Sequence, residues 1–143
     1  MKKIINKKLY NTETAECVGT WDNNYPCNDF HFMSEELYQK KTGEFFLYGY
    51  GGAMSRYAES CGNNSWGSGE DIIPLSYDKA EDWAEEHLSA DDFMKIFGEV
   101  SENDNDRITI SVSMSVKEAE SIKKLAHKQG MSVSAFIVAQ CLK

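Results

Sequence analysis

No apolar run in the chain approaches the roughly 20 residues that a membrane-spanning helix needs, and the longest candidates are broken by charges. The basic start, Met1 to Lys8, has no apolar stretch behind it, so no secretory signal is expected and the protein is assigned to the cytoplasm. Cysteine is sparse. Cys17, Cys27, Cys61 and Cys141 include no Cys-x-x-Cys spacing, and without an export signal they are expected as reduced thiols rather than a disulfide framework. The same lack of short-range pairs makes Cys17, Cys27, His31 and Cys61 a poor zinc set. Ordinary thiols with a packing or surface histidine are the plainer reading. No motif joins a nucleophile to a base, and Cys61 with His87 is the pair that would have to be invoked. Gly49, Gly51 and Gly52 are not followed by Gly-Lys-Ser/Thr and do not form G-x-G-x-x-G, which excludes the common phosphate-binding loops. No cofactor or metal is implied, and nothing marks an enzyme.

What is present is a soluble, globular balance of 41% hydrophobic and 27% charged residues, with length enough for one ordinary domain or two small ones. The net charge of −8 is unevenly spread. Met1 to Asp106 holds 9 Lys and Arg against 21 Asp and Glu, a balance of −12, whereas Arg107 to Lys143 holds 6 against 2, a balance of +4. Opposite charge in two segments implies two modules with different partners. Ser101-Glu102-Asn103-Asp104-Asn105-Asp106 is polar and turn-forming. Residues 101–106 are therefore expected to link an acidic α+β domain, 1–100, to a basic domain, 107–143.

In the basic segment, Arg107 to Met114 alternates strictly. Ile108, Ile110, Val112 and Met114 fall on one face, and Arg107, Thr109, Ser111 and Ser113 on the other. Period two predicts a half-buried strand. Ser115 then stands at an N-cap with Glu118 at the third helical position, the two ends of a capping box. Val116, Ala119, Ile122, Leu125 and Ala126 repeat at helical spacing, and Lys128-Gln129-Gly130 closes the helix on a residue suited to a left-handed C′ position. Ser132 caps a second helix whose stripe holds Ala135, Phe136, Ala139 and Leu142. So short a segment leaves a strand edge and a helix face uncovered, and pairing with a second copy covers both.

This order resembles the ribbon-helix-helix family of DNA-binding proteins over Arg107 to Leu142. The resemblance rests on the alternating strand, the Leu125-Ala126-x-x-x-Gly130 turn and the Ser132-x-Ser134-Ala135 start of the second helix. It implies a homodimer whose two strands pair antiparallel and lay their outward side chains in the major groove. Thr109, Ser111 and Ser113 would face bases with Arg107 at the rim, while backbone N–H groups around Ser132 to Ser134 would hold a phosphate. Ile108, Ile110, Val112, Met114, Ile122, Leu125 and Phe136 would form the dimer core. Some folds of this family serve for dimerisation alone, so the expected partners are a second copy of the chain and, as the further possibility, duplex DNA.

In the acidic segment, Lys3 to Tyr10 and Glu16 to Trp21 read as two strands joined by residues 11–15. Asp29 to Gln39 and Glu44 to Gly49 read as two more, with Lys41-Thr42-Gly43 as their turn. A short helix is expected over Ala53 to Ala58, and a loop containing Trp66 over Gly62 to Gly69. After Ile72-Ile73-Pro74-Leu75 come two acidic amphipathic helices. Ser76 precedes the first, with Ala80, Trp83, Ala84, His87 and Leu88 on one face; Ser89 caps the second, with Phe93, Ile96 and Phe97 on one face. The predicted fold class is α+β: an N-terminal antiparallel sheet with acidic helices, followed by a ribbon-helix-helix (β-α-α) dimerisation module. Asp78, Glu81, Asp82, Glu85, Glu86, Asp91 and Asp92 make up the acidic face. The carboxylates between Asp78 and Glu102 admit a catalytic pair, a plain solvated face, or a surface that engages a basic protein by imitating nucleic-acid charge.

The phrases KKIINKKLYNTETA (Lys2 to Ala15), TGEFFLYGYGG (Thr42 to Gly52) and WAEEHL (Trp83 to Leu88) are similar to a domain of small proteins from mobile elements of Gram-positive bacteria. That likeness spans roughly Met1 to Val100. Some proteins with such a domain are anti-CRISPR inhibitors of type II-A CRISPR nucleases. The likeness carries no catalytic or ligand signature. It implies a dimeric mobile-element protein, in the cytoplasm of a bacterial host, that inhibits an RNA-guided CRISPR nuclease by protein–protein contact. The acidic module would meet the nuclease's basic nucleic-acid channel or block loading of guide RNA or target. The C-terminal module would dimerise the protein and could bind its own promoter. The alternative is a ribbon-helix-helix transcriptional repressor or antitoxin whose N-terminal module binds a protein or small effector. No membrane partner is expected.

Overall fold

The structure is a computed structural model and describes residues 1–102 and 107–143. Of the expected linker, residues 103–106 lie outside the described residues. The chain divides into two compact units, Met1–Asp106 and Arg107–Lys143. Its class is α+β, with antiparallel sheets in the first unit and helices in both. Among the described residues no helix is long and apolar enough to cross a membrane.

The first unit opens with a hairpin of β1 (Lys2–Ile5) and β2 (Lys8–Asn11). Then come β3 (Glu16–Asp22), β4 (Met33–Gln39), β5 (Phe45–Gly51), a small hairpin of β6 (Glu59–Gly62) and β7 (Ser65–Gly67), and β8 (Gly69–Leu75). Helices α1 (Tyr77–His87) and α2 (Ala90–Phe97) close the unit. The main sheet has the order β3-β4-β5-β8, all antiparallel. Side chains alternate across it, so its two faces bury different sets. Leu37, Phe45 and Leu47 pack under Ala80, Trp83 and Ala84 of α1. On the other face Phe46 and Ile72 pack with Tyr10 of the first hairpin, bordered by Ile5, Ala15 and Tyr38. The hairpin is also tied to the sheet by Lys3–Asp71 at 2.5 Å and Lys8–Glu44 at 2.7 Å. Exposed ion pairs of this kind are screened by solvent and contribute little. The edge-on contact of Tyr10 and Phe46, centroids 5.5 Å apart, therefore carries more of the attachment.

Several expectations change, most of them for a local reason. The strand expected from Lys3 to Tyr10 folds back on itself at Asn6-Lys7, where both residues take positive φ (50° and 65°). That is the demand of a tight hairpin turn, met here with asparagine and without glycine. In consequence β3 pairs with β4 rather than with β2. The helix expected over Ala53 to Ala58 is a run of turns. Ser55 Oγ donates to Gly52 O at 2.8 Å and accepts from Tyr57 N at 3.2 Å, a local alternative to helical bonding. The loop expected from Gly62 to Gly69 is the β6–β7 hairpin, turned at Asn63-Asn64 with φ of 45° and 61°. In addition, β4 starts at Met33 instead of Asp29, because Asp29 forms a turn whose carboxylate accepts from His31 N at 2.7 Å.

Helix starts match the serine caps. Ser76 Oγ accepts from Lys79 N and Ser89 Oγ from Asp92 N, each at 3.2 Å. In the second unit, α3 (Val116–Lys128) starts on Ser115 and α4 (Val133–Cys141) on Ser132, whose hydroxyls accept from Glu118 N and Ala135 N at 3.1 Å. Gly130, at φ 66°, ends α3. His127 O accepts from Gly130 N and Ala126 O from Met131 N, both at 3.0 Å, the paired bonds of a Schellman ending. Residues 107–114 form no strand in the single chain, because a ladder needs a partner and none is offered to them there.

Phe46 is fully buried, so Phe46→Ala is expected to destabilise the first unit by about 3–5 kcal/mol, whereas Lys8→Ala, at a solvent-screened ion pair, has a far smaller effect. Urea unfolding of the full chain measures both, and equal effects would contradict the apolar attachment of the hairpin.

Candidate functional site

The first unit places one charged side chain where water does not reach it. Glu35 lies on β4 between Met33 and Leu37, on the helix-covered face, and is only 3% exposed. An ionised carboxylate in such a place needs donors on both oxygens. Trp83 Nε1, from α1, donates to Oε1 at 3.1 Å, and Tyr57 Oη donates to Oε2. Arg56 Nη1 stands 3.6 Å from Oε2. The approach of Tyr57 depends on the strand beside Glu35. In the β4–β5 register Glu35 faces Gly49, and a Cβ on Gly49 would lie 1.9 Å from the Tyr57 ring. Glycine at that position lets the phenol lie on the strand and reach the carboxylate.

A cleft of about 510 Å³ opens beside this centre. Trp21, Met33, Leu47 and Trp83 wall it, Glu35 lies against it, and Arg56, Lys79, Asp82 and Glu86 contribute charges of both signs. His87, at the end of α1, contacts Trp21 and Trp83, with ring centroids 4.2 and 5.2 Å away. Burial, and then the Glu35 carboxylate, pushes the Tyr57 phenol well above its usual range, so Tyr57 keeps its proton and donates it. Burial, followed by Glu70, does the same to Tyr48. Tyr38 is pushed up to about 12, by burial first and by Glu36 second.

Of the side chains singled out from the sequence, Asp78, Asp82, Glu85 and Glu86 are exposed on α1, Glu81 is half-buried there, and Asp91 and Asp92 are exposed in the first turn of α2. Negative charge in that first turn also suits the helix dipole. The cysteines stand apart. All four are free and exposed, and among the described residues no group of three or more His, Cys, Asp or Glu side chains gathers to hold a metal. Cys61 Sγ turns to Glu59 O at 3.8 Å on the β6–β7 hairpin while His87 is held by its two tryptophans, so the structure does not bring that pair together. Although Cys17 is exposed by surface area, partial desolvation by the surrounding atoms, with Glu36 next, raises its thiol and lowers its thiolate content.

In the second unit, Arg107, Thr109, Ser111 and Ser113 are exposed. So are Ile108, Ile110, Val112 and Met114, which sequence alternation assigns to a buried face. Ile122 is half-buried, Leu125 exposed and Phe136 buried. Ser132 has its hydroxyl committed to the α4 cap, and Ser134 is exposed one residue inside the helix. The Glu35 centre itself carried no role in the sequence reading. Its one sequence signal is a carboxylate at an apolar position of an alternating strand.

No family model, characterised protein or solved structure matches the chain.

The raised phenols set an alkaline limit. Tyr38 holds its proton more tightly folded than unfolded, so its contribution is fully present below pH 10 and is lost as pH rises through about 12. Stability of the wild-type chain is expected to fall across that window, and Tyr38→Phe to flatten the fall. An unchanged slope in that variant would contradict the assignment.

Proposed function

We propose that the chain is a dimeric ribbon-helix-helix DNA-binding protein whose acidic first unit is a docking module for a protein partner. The observation that carries this reading is the amount of apolar surface the second unit leaves open as a single copy. Its buried side chains are Ala126 and Phe136, while Ile110, Val112 and Val138 are 77%, 69% and 55% exposed. A unit this small cannot offset its ordering entropy with two buried residues. Helix α4 is apolar over most of its circumference, with Ser134 and Gln140 its polar side chains, much as a helix enclosed by other elements is. A second copy closes these surfaces at once. Antiparallel pairing of residues 107–114 across a two-fold axis buries Ile108, Ile110, Val112 and Met114 against the helices. The same pairing turns Thr109, Ser111 and Ser113 outward to the major groove, with Arg107 at the rim. Backbone N–H groups at the start of α4 face a phosphate, and the +4 balance of this segment favours the duplex.

Sedimentation of the wild-type chain should give a dimer, and Ile110→Glu with Val138→Glu a monomer. Changing Thr109, Ser111 and Ser113 together to Ala should abolish binding to an operator selected from random duplexes while the dimer persists. Unchanged operator affinity in the triple variant would remove the reading face from these residues.

A second reading concerns the first unit and is favoured by the exposed carboxylates of α1 and α2. We propose that this face engages a basic protein, and that a type II-A CRISPR nuclease or its guide-RNA complex is the partner to test first. Like-charged side chains along one helix face present a row of negative charge at roughly 5–6 Å intervals. Such a row competes with nucleic acid for a basic channel. Target cleavage should be inhibited by the full chain and restored when Asp82→Asn, Glu85→Gln and Glu86→Gln are combined. Complex retention at about 1 M salt, where charges are screened beyond about 3 Å, would exclude charge mimicry.

A further inference from the structure

We infer that the cleft beside Glu35 is a binding site for a guanidinium group carried on an apolar stem, and that Arg56 occupies the charge position until such a ligand arrives. A carboxylate held out of water needs a counter-charge as well as neutral donors. The Glu35 side chain is 4% exposed, yet its nearest cation approaches through one nitrogen, at 3.6 Å, from an arginine whose side chain is 58% exposed. That is neither the distance nor the two-pronged geometry of a fixed arginine–carboxylate pair. The Arg56 guanidinium also leans over the Tyr57 ring, 5.2 Å from its centroid, with more than half of its side chain in solvent. Its own chemistry shows what the Glu35 carboxylate accepts.

The rest of the cleft suits the same species from the other side. Its volume, about 510 Å³, lies within the roughly 300–1,000 Å³ of small-ligand sites. Half-buried Trp21 and buried Trp83 line the cleft with His87 against both rings, and indole is the side chain on which cations bind best, guanidinium with least hydration to lose. Met33 and Leu47 provide apolar wall for a stem. With Arg56 turned out, Glu35, Asp82 and Glu86 share the lining with Lys79 and the imidazole of His87, a carboxylate majority that favours an incoming cation. The guanidinium can come from a free alkylguanidine or from an arginine side chain of a protein.

The chain has three tryptophans, Trp21, Trp66 and Trp83, so its indole N–H signals in a nitrogen-15 correlation spectrum report on the cleft directly. Trp66→Phe identifies the signal from the β6–β7 hairpin, where the side chain is 61% exposed. Titrating the full-length protein with agmatine should move the Trp83 and Trp21 signals saturably and leave Trp66 in place. Pentylurea, neutral and of similar shape, should move none. An acetylated and amidated Gly-Arg-Gly peptide that binds more tightly than agmatine identifies a protein side chain as the source; the reverse order identifies a free alkylguanidine. Arg56→Ala should tighten agmatine binding severalfold, since the resident cation is gone. Glu35→Gln, which keeps an acceptor for the Trp83 indole, should weaken it at least tenfold. No saturable movement in the wild-type chain, an equal response to pentylurea, or weaker binding in Arg56→Ala would each overturn the assignment. The Arg56→Ala result decides the matter even if Glu35→Gln does not fold.

Discussion

Glu35 sits in the middle strand pair of the sheet with its side chain out of water, and that position is tolerable only while donors fill the approaches to it. Moving a carboxylate from water into a protein interior costs several kcal/mol even after relaxation, so the groups that meet it are under strong constraint. Trp83 fixes the rotation of α1 over the sheet, because its indole must point at Oε1. Tyr57 fixes the path of the chain after Gly51, because its phenol must reach Oε2 across Gly49. One carboxylate thus sets the relation of strand, helix and connecting segment, a relation that apolar packing alone leaves loose. Leu37, Phe45 and Leu47 supply the attraction under α1 and the polar trio supplies its register.

The two units reach stability by different routes. In the first, the sheet is covered on both faces, by α1 and α2 on one side and by the β1–β2 hairpin on part of the other. The second has well-made helix ends, with serine caps and a Schellman ending, but few buried side chains. Good caps define where helices begin and stop, and contribute about 1 kcal/mol each. They do not substitute for a core, and the exposed apolar positions of residues 108–114 and α4 are the surface from which a core has still to be made.

How much of this was legible in the sequence depended on how local each signal was. Ser76, Ser89, Ser115 and Ser132 announced four helix starts, since a cap is a contact between residues three apart. The solvated carboxylates of α1 followed from its 3.6-residue period. The turn at Asn6-Lys7 is not marked in the sequence because asparagine enters the left-handed region without the glycine that usually signals it, while at Asn63-Asn64 the glycine-rich surroundings signal a loop and hide the short strands on either side. Ala53 to Ala58 has helix-forming composition, but Ser55 and the closeness of Tyr57 to Gly49 override it. Glu35 was the hardest to read. Its position on the Met33–Leu37 face was visible, but its partner Trp83 lies 48 residues away, and no local pattern connects them.

The strand order also constrains how the first unit can assemble in time. Strands β3, β4 and β5 are neighbours in sequence as well as in space, so they can zip together through short connections. Strand β8 joins β5 only after residues 52–68 have been looped out, and closing a longer loop adds an entropic barrier that grows slowly with its length. Tyr57 lies within that loop and Trp83 lies beyond it. Strands β3, β4 and β5 alone therefore supply neither of the side-chain donors to Glu35, which come from the segment before β8 and from α1. Closure of that carboxylate from water is thus a property of the completed unit, in which its donors and the apolar layer under α1 are present together.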